Sequence, residues 1–72
     1  MRRLDSAALY AALDQQRLAR GLTWTGVARE TGVSLATIRR TKRAGRMEVD
    51  GMLTLIGWLG VPVETFVRDV DL

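Results

Sequence analysis

Apolar side chains along this chain recur at intervals of three and four rather than two, the periodicity of helices buried on one side. Capping and turn residues divide the pattern into five stretches. From Asp5 to Arg20, Leu9, Ala12, Leu13 and Gln16 fall on one face, with Asp5 or Ser6 placed to cap the start and Gly21 to stop the end. A second helix from Thr23 to Thr31 opens at Thr23 and turns Val27 and Ala28 inward. Gly32 supplies the left-handed backbone that a sharp turn needs, and Ser34 caps a third helix running to about Arg43. There Val33 anchors the turn and Ile38 the helix, while Leu35, Ala36, Arg39, Arg40 and Arg43 point outward. The fourth helix, Asp50 to Leu59, carries Met52, Leu55, Ile56 and Leu59 on one face, with Asp50 able to cap it and Gly60 to end it. Pro62 is tolerated at a helix start, so Val63 to Asp69 reads as a short fifth helix with Phe66 inward. The pattern predicts an all-α, five-helix fold in a single domain over residues 1–72, with no strand. Leu13, Leu22, Val27, Ala28, Val33, Ile38, Met52, Leu55, Ile56, Leu59 and Phe66 form its expected core.

At 72 residues one core must suffice, close to the lower limit for a self-sufficient domain. With no cysteine and no histidine, neither a disulfide nor an ordinary zinc site supplements it, and no metal or cofactor is expected. Apolar content of 47% argues against disorder, and the apolar stretches are too short and interrupted to cross a bilayer. Arg2 and Arg3 lead into Asp5 and an alternating helix rather than an apolar leader, so a cytoplasmic protein is expected. Catalysis has little to work with: the serines are Ser6 and Ser34 at helix caps, and no acid has a basic partner arranged for proton transfer.

Charge changes the picture more. Residues 1–46 hold ten basic side chains against Asp5, Asp14 and Glu30, whereas residues 47–72 hold five acids against Arg68 alone, about +7 against −4 within a net +3. Between Arg39 and Arg46 five of eight positions are basic (Arg39, Arg40, Lys42, Arg43 and Arg46) and none is acidic. A basic run alone is as readily a solvated face. Placed at the end of a capped helix after a glycine turn, it points to phosphate.

Arg17, Gly21-Leu22-Thr23, Val27-Ala28, Gly32-Val33-Ser34, Thr37-Ile38 with Arg40, and Leu59-Gly60-Val61 follow one another in an order and spacing that resembles the Xre/Cro-like (lambda-repressor-like) helix-turn-helix family, over about Leu13 to Phe66. The resemblance implies a five-helix domain whose third helix enters the major groove, usually as a two-fold homodimer on a palindromic operator. Carried over by position, Leu35, Ala36 and Arg40 would face base edges, and Ser34, Thr37 and Arg39 the sugar-phosphate backbone. Lys42 departs from the glutamate common in the family, so the usual partner of Arg17 is missing. Arg17 is then left to Asp14, to Glu30, to solvent or to phosphate. Trp24 replaces a favoured glutamine and either packs as structure or lies against the DNA backbone. Gly26 inside the second helix costs about 1 kcal/mol against alanine.

Arg40 offers a planar fork that suits guanine O6 and N7, whereas Leu35 and Ala36 can read only thymine methyls or exclude other groups. The other reading of Leu35 is a partly exposed structural leucine. Thr23 and the start of the third helix present backbone N–H groups to phosphate. The expected DNA-contacting set is therefore Thr23, Trp24, Ser34 to Thr37, Arg39, Arg40, Lys42, Arg43 and Arg46. Trp58 lies off the fourth helix's apolar stripe, and with Val67, Val70 and Leu72 it makes a surface expected to form a homodimer contact. The expectation is a transcriptional repressor acting by operator occupancy, resembling the short repressors of phages and mobile elements and having no room for a sensor domain. The competing expectation is a small helical interaction module, such as an antitoxin or accessory subunit, that binds another protein through its last helices.

Overall fold

Three of the four α-helix starts in the computed structural model, which describes residues 1–43 and 48–70, carry a side-chain cap. Asp5 accepts from the Ala8 N–H ahead of α1 (Ser6–Ala19), Thr23 from Gly26 ahead of α2 (Trp24–Thr31), and Ser34 from Thr37 ahead of α3 (Leu35–Arg40). Each satisfies one of the donors left open by the first turn. The fourth helix, α4 (Val49–Leu59), starts after Glu48 with no side-chain cap, so Asp50 lies in its first turn and does not cap it. There its charge still favours the positive end of the helix. Gly21, Gly32 and Gly60 all have positive φ, and Gly32 and Gly60 end α2 and α4 in the left-handed conformation.

The chain is mostly helical, but the expected all-α arrangement of five helices is not what forms. After Pro62 only a 3-10 turn, Val63–Phe66, is made, and the backbone then extends into β2 (Val67–Asp69). This strand pairs antiparallel with β1 (Arg2–Leu4), Leu4 opposite Val67 and Arg2 opposite Asp69. The physical reason lies in where the carbonyls go. A continuing helix would bond the Phe66 carbonyl to the Val70 N–H, but that carbonyl accepts from the Asp5 N–H at 2.6 Å, and Val70 N–H donates to Met1 O at 2.7 Å. Both groups are better satisfied across the chain than along it, and β-branched Val67 suits the extended form.

Leu9, Leu13, Val27, Val33, Ile38, Leu55, Ile56 and Phe66 are the buried core. Leu9, absent from the expected set, sits one turn before Leu13 on the same face of α1. Leu22, Ala28, Met52 and Leu59 pack against this core but stay partly exposed. Each full burial of such a side chain is worth about 1.5–3 kcal/mol. Gly51, buried in α4, faces Thr37 of α3 closely: a Cβ there would stand 3.2 Å from Thr37 Cγ2 and 3.8 Å from Val33 Cγ1. Among the described residues, no helix is long and apolar enough to cross a membrane.

Candidate nucleic-acid interface

The outer face of α3 is set from behind. Ile38 is 1% exposed and Val33 is buried, so the face opposite them, carrying Ala36, Arg39 and Arg40, is turned to solvent. Leu35 is half-buried, which leaves only part of its side chain outward. The helix ends at Arg40, earlier than the expected Arg43. Beyond it, Thr41, Lys42 and Arg43 donate their N–H groups to the carbonyls three residues back, a tighter turn than α-helix. Thr41 is wholly buried and donates its hydroxyl to Ile38 O at 2.6 Å, and Ser6 Oγ donates to Arg43 O at 3.4 Å, tying this turn to α1. Sequence reasoning missed both, because a threonine within a basic run and a serine beside a cap read as surface residues.

Arg39, Arg40, Lys42 and Arg43 are exposed and line one cavity of about 480 Å³ whose walls contain no carboxylate. Among the described residues the ion pairs involve other cations: Arg2 with Asp69, Arg17 with Asp14, Arg20 with Glu30 and Arg68 with Asp5. Four clustered, unpaired cations repel one another in the free protein and build a local positive potential that a polyanion relieves. Arg46 lies outside the described residues.

Ser34 and Thr37 are occupied with each other: Ser34 Oγ accepts from Thr37 N–H at 3.1 Å and donates to Thr37 Oγ1 at 2.9 Å. Glu48 and Asp50 share a shallow cleft with them, so this side of α3 is acidic while its far end is basic. Thr23 is exposed at the start of α2.

Trp24, next along, is half-buried, and its ring stacks on Tyr10 of α1 with centroids 5.0 Å apart and 21° between planes. The Arg17 guanidinium stands 5.0 Å from the Trp24 ring centre. Of the partners open to Arg17, Asp14 is the one taken: Nε and Nη2 donate to its Oδ1 at 3.0 and 2.6 Å, while Nη1 donates to Leu22 O at 3.0 Å. Tyr10, which the apolar pattern did not single out, thereby joins α1 to α2, and with the Lys42 ammonium 5.9 Å from its ring centre it also meets the basic turn. A tyrosine and an arginine seven positions apart on one helix, followed by a tryptophan opening the next, was the signal available.

The residues expected to form a dimer contact are partly engaged within the chain. Trp58 is half-buried, donates Nε1–H to Glu30 Oε1 at 3.3 Å, and carries the Arg20 guanidinium 4.7 Å above its ring. Val67 is paired in β2 and Val70 is half-buried beside Met1, while Leu72 lies outside the described residues. Among the described residues, the large apolar side chains most open to solvent are instead Met1, Leu18, Val49, Leu53 and Val61. No protein-family model matches the chain, and neither a curated protein nor a solved structure matches it.

Proposed function

We propose that this protein is a sequence-specific duplex-DNA-binding regulator of the helix-turn-helix class, a transcriptional repressor that acts by occupying its operator in the cytoplasm. The observation that carries this reading is the convergence of four exposed cations, with no ion pair among the described residues, at the end of α3 next to the exposed Ala36 on the same helix. The turn at Gly32, with φ 74°, and the Ser34 cap support it, because they end α2 and start α3 within three residues, the sharp helix-to-helix turn that this class uses. In this reading Arg40 reads a guanine, Ala36 and the outer part of Leu35 touch apolar base edges, and Arg39, Lys42 and Arg43 neutralise phosphates. A two-fold homodimer on a palindromic site belongs to the same reading.

Selection of bound sequences from a random duplex pool tests it. An enriched palindrome is expected, with affinity falling with salt by about 0.9 log units per tenfold change for each neutralised phosphate. Arg40→Ala should relax preference at one base pair per half-site, whereas Arg39→Ala should weaken all sequences alike and flatten the salt slope. Unchanged preference in Arg40→Ala would remove Arg40 as the base reader. No enrichment at all would remove the reading itself. It would favour the second one, a module that binds another protein through the exposed Leu18, Val49, Leu53 and Val61.

A further inference from the structure

The cavity at the end of α3 has a second wall that base reading does not require. Tyr10 and Trp24 line it together with the cations. Tyr10 and Arg17 lie seven residues apart on α1, about 10.5 Å along the helix axis at 1.5 Å per residue. The Trp24 ring centre stands 5.0 Å from the Tyr10 ring centre and 5.0 Å from the Arg17 guanidinium, so both α1 side chains meet it. Arg17 is itself fixed by Asp14 and the Leu22 carbonyl. The Lys42 ammonium stands 5.9 Å from the Tyr10 ring centre, at the outer limit of a cation–π contact. The wall is thus pre-formed, and one of the four cations is already held against it.

Trp58 Nε1 has Glu30, but among the described residues neither Trp24 Nε1 nor the Tyr10 hydroxyl on this wall has a protein hydrogen-bond partner. Neutral donors on a rigid apolar wall, with cations and no carboxylate around the same space, match one chemistry. A phosphate ester places its charge against the cations, takes hydrogen bonds on its remaining oxygens, and rests its ester carbons on the ring edges.

We propose that this cavity is a phosphate-ester seat in which Tyr10 and Trp24 act together with Lys42 and Arg43, so that α1 as well as α3 touches the ligand. Its main source of phosphate rests on the duplex-binding reading: a backbone phosphodiester flanking the bases that α3 faces. A free phosphate ester is the other source of the same chemistry.

Two measurements separate these sources. In a Trp58→Phe protein Trp24 is the single tryptophan, and its fluorescence is titrated with phenyl phosphate against sodium sulfate at equal ionic strength. A saturable change with phenyl phosphate alone, lost in Lys42→Gln, is expected. In parallel, the selected duplex is scanned with single neutral methylphosphonates. One backbone position per half-site should weaken binding roughly tenfold, the size of one lost charge-assisted hydrogen bond. Combined with Tyr10→Phe, which keeps the ring stack, that substitution should cost less than the product of the two separate losses. If duplex binds but no backbone position couples to Tyr10→Phe or Trp24→Phe, the seat does not hold DNA. If phenyl phosphate also behaves as sulfate does, the seat is overturned outright. Saturable phenyl phosphate binding by a protein that binds no duplex would sink the duplex reading and leave the seat standing.

Discussion

Gly51 and Gly57 sit on the same helix, and replacing each by alanine separates helix propensity from packing. Alanine is preferred to glycine in a helix by about 1 kcal/mol, somewhat less near the ends. At Gly57 an added Cβ meets nothing within 4 Å. Gly57→Ala should therefore stabilise by roughly 0.5–1 kcal/mol, which for a domain this small raises Tm by about 2–8 °C. At Gly51 the same gain is opposed by Thr37 Cγ2 at 3.2 Å. Carbon atoms rest about 3.5–4.0 Å apart, so the methyl is too close by a few tenths of an ångström. Thr37 yields poorly, since it is β-branched and both its N–H and its hydroxyl are bonded to Ser34 Oγ. Overpacking of this kind costs about 1–3 kcal/mol. Gly51→Ala should then be neutral to about 2 kcal/mol destabilising, at least about 1 kcal/mol below Gly57→Ala. Adding Thr37→Ser removes the methyl but keeps the hydroxyl, and should recover most of that difference. Urea denaturation followed by tryptophan fluorescence gives the stabilities of the wild type and these three variants. If Gly51→Ala stabilised as much as Gly57→Ala, or if Thr37→Ser recovered nothing, the close approach of α4 to α3 would be refuted.

Ile38 is 1% exposed, so Ile38→Ala should cost about 2–5 kcal/mol; a wild-type-like melting temperature by calorimetry would contradict the register of α3. Gly32 has φ 74°, so Gly32→Ala, which forces a Cβ into the left-handed region, should lose about 1–2 kcal/mol; denaturation with no measurable loss would mean that the turn relaxes freely. Sedimentation of the free protein and of its DNA complex tests the homodimer, whose half-sites should lie about 34 Å apart on the duplex. A strict monomer on one unpaired half-site would remove it and leave the exposed Val49 and Leu53 to a different protein.

What the chain disclosed beforehand was whatever is decided locally. A hydroxyl one residue before a helix and a glycine just after it act over a single turn, so Thr23, Ser34, Gly32 and Gly60 are all where the pattern puts them. The strands were hidden for the opposite reason. Three residues cannot display an alternation, and Val67 extends only because a partner strand from the other end of the chain takes its hydrogen bonds. The Asp14 pairing of Arg17 was one of several open choices, and only the position of Leu22 O and the Trp24 ring selects among them. The charged positions of the candidate site were legible as a run of basic letters. The ring wall was not, because Tyr10 and Trp24 meet only when α1 and α2 fold against each other.

The pairing of Arg2–Leu4 with Val67–Asp69 has a consequence for the order of folding. The helices close over a few residues each, but the sheet joins positions 69 apart at its end, Met1 with Val70. Closing a flexible loop of that length costs about 3.7 kcal/mol in chain entropy beyond a fixed term. Strands of three residues, with Arg3 directly opposite Arg68, return little on their own. The sheet is therefore added last, to a body whose helices have already brought the two ends together. Substitutions in it should change how fast the protein unfolds and barely change how fast it folds. In hydrogen exchange the amide of Val70 should open by local fraying, while those of Leu13 and Ile56 wait for global unfolding.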